Sequence, residues 1–264
     1  MFSFNSNKLD SKESVDIIES IVYEQLKPLG FRKHGRTLHR FVDGDISQVI
    51  NFQNGCPQKQ IYNILWVNLG IRIPECTKRS FSVSQPLKKY YHEYECTIRT
   101  ELGTFVKHKN TGYSLKKDPQ KIGKDILQKL KKFVLPIFDT LNSREAILEH
   151  RKDYADFDEF NNHLRLLEEA MIYGRAGNTE KAGERFNLYY QKALRQYADK
   201  LEHGSQTYMR KGQRTIYYNA RTQQTETVTA TKNGYVTIYD ASDSHLKYLE
   251  KLAEELKIPL YKAS

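Results

Sequence analysis

Residues 61–73 read IYNILWVNLGIRI, with no proline and no charge before Arg72. Side chains alternate across an extended chain. Leu65, Val67, Leu69 and Ile71 therefore share one side, and Tyr62, Trp66, Asn68 and Arg72 share the other with Ile64. One face is apolar and the other polar with one large aromatic, which predicts a long strand half-buried in a sheet. Such a strand needs partners and a cover for its apolar side. RTLHRFV and ISQVINFQ flank Asp43-Gly44, a strong short-range hairpin mark, and ECTIRTEL at 95–102 predicts a fourth strand. In the second strand Ile46, Ile50 and Phe52 oppose Val49, Asn51 and Gln53; in the fourth, Cys96, Ile98 and Leu102 oppose Glu95, Thr97, Arg99 and Glu101. The cover is a helix over 11–29, with Val15, Ile18, Ile21, Val22 and Leu29 at helical spacing. Asp10 or Ser11 caps its start, and Pro28 and Gly30 end it.

From Asp118-Pro119 the apolar period changes to 3.6, with Asp118 a good N-cap and Pro119 at the first helical position. Helices are expected over 119–141, 143–151, 156–174, 178–202 and 243–257, with 170–194 resembling one tetratricopeptide-type hairpin. Residues 204–240 interrupt them. TIYYNA, TETVTAT and YVTIYD predict a three-stranded β-meander, with turns at Arg221-Thr222-Gln223-Gln224 and Asn233-Gly234. The expected fold class is α+β. A four-stranded antiparallel sheet domain over 1–117 is backed by the N-terminal helix, and a helical subdomain over 118–264 carries the meander.

Composition narrows the function. At 39% hydrophobic and 12% aromatic, the 264 residues can build a core. No run of about 18 apolar residues exists to span a membrane. The start, MFSFNSNKLDSKES, lacks an apolar signal core, and Cys56, Cys76 and Cys96 contain no CxxC pair. A reduced, cytoplasmic protein is expected. The net charge of +10 favours a polyanion or an acidic protein as partner.

The string LGFRKHGRTLHRF, followed by VINFQ, VNLGI and ECTIRTELG, resembles the bacterial family catalogued as domain of unknown function 4304, over about residues 14–150. The resemblance implies an α+β fold and no established activity. Such domains turn up beside toxin-immunity and phage-defence genes, which implies a protein-binding, immunity- or inhibitor-like role. The 204–240 segment departs from that pattern.

Two surfaces are candidate sites. The polar sheet face offers Arg40 or His39 with Asn51, Gln53, Trp66, Asn68 and Arg99. In the strand after the basic turn Arg32-Lys33-His34, Arg36, Leu38 and Arg40 share one side and Thr37, His39 and Phe41 the other. Both sides mix polar and apolar residues, so the pattern leaves either inward and also suits a charged sheet edge. The second surface is the meander, where Arg210, Lys211, Arg214, Arg221 and Lys232 oppose Glu226 alone among 204–239. Tyr208, Tyr217, Tyr218, Tyr235 and Tyr239 are interleaved with them. Such a mixture makes a protein hot spot or a phosphate-neutralising, base-stacking surface.

Catalytic signals are thin. The eight histidines form no HExxH, and no GxxxxGK[ST] or GxGxxG cradle is present. Asp43 and Asp45 read as turn residues, and no glycine-framed motif surrounds Cys56 or Cys96. No metal and no cofactor is expected. The leading expectation is a non-enzymatic binding protein that engages an acidic protein. The alternatives are a nucleic-acid-binding module using the meander, and an uncharacterised enzyme or small-ligand site on the polar sheet face.

Overall fold

The computed structural model describes residues 10–56, 61–82, 88–107, 111–158 and 164–261. The chain forms two compact units, Met1–Arg165 and Leu166–Ser264, and is α+β.

The first unit begins with α1 (Ser11–Leu26), whose capping box joins Asp10 and Glu13 reciprocally, followed by one 3-10 turn to Leu29. Its sheet runs β1 (Arg32–His34), β2 (Thr37–Val42), β3 (Ile46–Cys56), β4 (Ile61–Arg72) and β5 (Ile98–Glu101), antiparallel and in that spatial order. A two-residue strand, β6 (Tyr113–Ser114), pairs with the start of β4 on the side where β5 pairs with its end. The sheet thus holds six strands rather than the expected four. The basic stretch Arg32–His34, expected as a turn, is itself the edge strand. Its unpaired edge carries charge, which discourages edge-to-edge association. The β2–β3 hairpin turns over Asp43, Gly44 and Asp45, with Asp43 and Gly44 both at positive φ, a region that Asp-Gly enters readily.

After α2 (Pro74–Lys78) and α3 (Leu102–Phe105), three helices follow. These are α4 (Pro119–Lys129), α5 (Leu135–Thr140) and α6 (Arg144–His150). A π-turn over Leu130–Val134 links α4 to α5. Pro136 has no N–H for the carbonyl four residues back, and Leu135 instead donates to Leu130, five back. Residues 118–158 group with the sheet because α4 lies along α1 and α5 bonds to β3. Leu38, Ile50, Phe52, Leu65, Val67, Leu69, Ile71 and Ile98 are all buried, as are Ile126, Leu130, Val134 and Phe138 from the helices. The apolar face is thus the one that alternation assigned.

Arg144 at the start of α6 is held by three carboxylates. Its guanidinium donates to both oxygens of Glu75 at 2.9 and 3.0 Å, to Asp45 at 2.6 Å and to Asp43 at 3.0 Å. The two aspartates of the hairpin turn therefore tie β2–β3 to α6.

The second unit contains α7 (Arg165–Arg175), α8 (Thr179–His203), four strands and α9 (Ser244–Leu256). Gly177 and the Asn178 cap separate α7 from α8. Phe186, Leu249, Leu252 and Ala253 are buried, and Tyr190 Oη donates to Glu250 at 2.7 Å. The strands are β7 (Ser205–Met209), β8 (Arg214–Asn219), β9 (Gln224–Thr229) and β10 (Gly234–Ile238). They do not form a three-stranded meander. β8 pairs with β9, and β7 pairs with β10 around them, giving two nested two-stranded ladders. SQTYM, the strand missing from the expectation, is the partner of GYVTI.

Candidate functional site

On the polar sheet face, pairing sets Thr37, Asn51, Asn68 and Glu101 in one row across four strands. Asn68 Nδ2 donates to Gln53 Oε1 at 3.0 Å, and Asn51 Nδ2 donates to Thr37 Oγ1 at 3.0 Å. Trp66 pairs across from Gln53 and is half-buried, because the backbone at Gly112 passes over its indole. A Cβ at Gly112 would sit 3.1 Å from Trp66 Nε1 and 2.4 Å from Ile64 Cγ2, so a side chain there has no room. Arg99 lies on this face as well, with Glu93 3.6 Å away. Arg40 does not. It pairs with Gln48 on the helix side, where its Nε donates to Gln48 Oε1 at 2.6 Å and its Nη2 to Asp139 at 2.5 Å. Gln48 Nε2 donates in turn to the Phe138 carbonyl. Arg40 thus ties sheet to helix and is withdrawn from the candidate face. Its parity with Leu38 decides this.

The other end of the polar face is closed by residues 88–96. Tyr91 stacks under the Arg72 guanidinium at 3.8 Å, and Tyr90 lies 3.6 Å from the His34 ring. The basic-aromatic stretches at 31–41, FRKHGRTLHRF, and at 88–94, KKYYHEY, therefore meet. His39 is buried beneath them with Nδ1 unpartnered, so its Nε2–H is assigned to the Lys89 carbonyl. Burial holds its pKa below the usual histidine value, aided by the charges of His34 and Arg32. The folded chain therefore binds a proton here less readily than the unfolded chain. Stability from this site is complete above about pH 6.5 and is lost as pH falls below it toward the folded value. Denaturant midpoints measured from pH 7 to 5 should fall, and the fall should be shallower for His39→Gln. Parallel curves for the two proteins would refute the assignment. Close by, burial pushes the Cys96 thiol up, so it stays protonated at neutral pH and is a poor nucleophile. The Cys56 side chain lies outside the described residues.

In the second unit, Arg214, Ile216 and Tyr218 share the outer face of β8 opposite Thr229, Thr227 and Thr225 of β9. The outer face of the other ladder carries Gln206, Tyr208, Tyr235 and Thr237, with the two tyrosine rings 5.4 Å apart. The inner faces bury Met209 and Ile238. Tyr217 and Tyr218, adjacent in sequence, consequently part company. Tyr218 is exposed, whereas Tyr217 points inward and donates its hydroxyl to Glu226 at 3.0 Å. Bonds from Asn219, Thr222 and Tyr217 hold the Glu226 carboxyl below the usual range. Arg221 caps the Tyr239 ring at 4.5 Å. The side chains of Arg210, Lys211 and Arg214 are exposed and have no ion pair or hydrogen bond among the described residues.

Residues 22–140 match the family described as "Domain of unknown function (DUF4304)". Comparison with curated proteins and with solved structures gives no match. The DUF4304 match takes in all six strands of the sheet and ends with α5, so the polar face lies within it and the nested ladders outside it.

Of the sheet-face candidates, Asn51, Gln53, Trp66, Asn68 and Arg99 come together within the DUF4304 region and Arg40 does not. Of the second set, Arg210, Lys211, Arg214, Tyr218 and Tyr235 are outward, while Tyr217 and Arg221 are engaged internally. Ile216, 62% exposed, and Tyr208 belong with the outward group. Strand parity in β8 would have found Ile216, since it sits two residues from both Arg214 and Tyr218.

Proposed function

We propose that this chain is a non-enzymatic binding protein that engages an acidic protein through the outer faces of β7–β10. One observation carries the reading: Tyr235, Ile216, Tyr218 and Tyr208 are 73, 62, 58 and 54% exposed, and the same strands and their turns carry three cations that have no partner among the described residues. Large apolar side chains gathered in water mark an interaction surface, and Tyr and Arg are the residue types that dominate hot spots. The free cations select a partner of opposite sign and speed its approach. Ile216 favours protein over nucleic acid, because an aliphatic anchor fills a pocket but offers no ring for a base to stack on. An immunity- or inhibitor-like role is supported by the resemblance of residues 14–150 alone. A reducing cytoplasmic setting is supported by Cys76 and Cys96, both free thiols.

The test compares two variants against the captured partner. Tyr208→Ala with Tyr235→Ala should weaken binding by about thirty-fold or more, the loss of a hot spot of about 2 kcal/mol. Arg210→Ala, Lys211→Ala and Arg214→Ala together should act mainly on the association rate. A larger loss from the charge variant, with a log–log salt slope smaller by about three, would assign the surface to nucleic acid.

A further inference from the structure

The second unit also contains a cleft of about 490 Å³ between α8, the β8–β9 hairpin and the connection from β10 to α9. Tyr197, Tyr218, Gln223, Asp240, Ser242 and Asp243 line it. The volume lies in the range of small-molecule sites, roughly 300–1,000 Å³, and exceeds what a single side chain fills. Its chemistry is opposite to that of the basic ladders beside it. The lining holds two carboxylates and no lysine or arginine. Asp243 is engaged by Lys247 at 3.0 Å from the next turn of α9. Asp240 has no hydrogen bond or ion pair among the described residues. Gln223 sits on the rim, where it closes the β8–β9 turn by donating its N–H to the Asn219 carbonyl at 2.8 Å.

We propose that this cleft binds a small organic cation carrying an ammonium or guanidinium group. Its charge pairs with Asp240, and the rings of Tyr197 and Tyr218 supply the aromatic surface on which such cations rest. A guanidinium suits the site well, because its planar fork donates two parallel bonds to one carboxylate while its faces remain free for rings. The Gln223 side-chain carbonyl and the Ser242 hydroxyl oxygen are acceptors for the remaining N–H groups. A smaller recess of about 100 Å³ shares Tyr197 and Ser242 and ends at Lys200 and His245, which leaves room for a ligand longer than its charged head.

Isothermal titration of the full chain with agmatine tests this, with butylurea, whose ureido group has the guanidinium shape and which carries no charge, as control. Agmatine should bind saturably and butylurea at least about ten-fold more weakly. Asp240→Asn should weaken agmatine several-fold, as loss of the charge partner does. Asp240 is exposed, so this change leaves the fold intact, and an unchanged melting profile checks it. Tyr197→Leu should weaken agmatine several-fold. Arg210→Ala should leave it unchanged. Non-saturating agmatine, equal binding of butylurea, or an Asp240→Asn variant that binds like wild type would each overturn the proposal. No macromolecule enters these titrations, so their failure leaves the proposed protein interface standing, and failure of that interface leaves the cleft standing.

Discussion

Replacing Arg144 by Ala is expected to destabilise the first unit by about 3–5 kcal/mol, the cost of breaking a buried ion pair from one side. Glu75 is fully buried, and Arg144 supplies both of its oxygens with donors while also binding Asp45 at 2.6 Å. Without the guanidinium, carboxylates are left facing one another, one of them out of reach of water. For a unit of this size, each kcal/mol moves the melting temperature by about 2–4 °C. The expected drop is therefore roughly 6–20 °C. Arg144→Lys should recover only part of it, since an ammonium cannot match the bidentate fork. Adding Glu75→Gln to Arg144→Ala should recover part as well, because the buried charge is removed. A drop below about 2 °C for Arg144→Ala would show that the cluster is ornamental.

Val67→Asp is expected to abolish cooperative folding of the same unit. Val67 is 1% exposed in the middle of β4 and pairs across from the buried Phe52. An unpaired carboxylate there costs several kcal/mol, comparable with the whole stability of a domain. Asn68→Asp, one residue on, is the control. Asn68 is half-buried on the polar face, so the same carboxylate remains in contact with water and the variant should fold. Two neighbouring positions thus carry opposite expectations, and a Val67→Asp protein that melts like wild type would overturn the assignment of faces.

What the sequence makes legible follows from the range of each interaction. Alternation along 61–73 identifies the buried face because each residue's side is set by its neighbours two positions away. Asp43-Gly44 identifies its hairpin for the same local reason. Arg40 is not readable in this way: both sides of β2 mix polar and apolar groups, and its side is settled by the register that pairs Leu38 with Ile50 and by its partner Asp139, about a hundred residues on. The grip of Asp43 and Asp45 on Arg144 is equally remote in sequence. In the second unit the strand content of 214–238 is visible, but the pairing is not. Adjacent strands usually pair, yet β7 reaches past β8 and β9 to β10, and its short SQTYM run carries little β-signal by itself. The meeting of His34 with Tyr90 joins two strings whose composition is legible and whose proximity is a property of the fold.

The central claim is that the outer faces of β7–β10 hold a protein. The most direct measurement is affinity capture from native lysate by wild type and by the Tyr208→Ala, Tyr235→Ala variant, each with and without nuclease treatment. The account predicts an acidic protein retained by wild type in both arms and lost from the variant in both. Retention of that protein by the variant, or a capture that vanishes with nuclease, would contradict it.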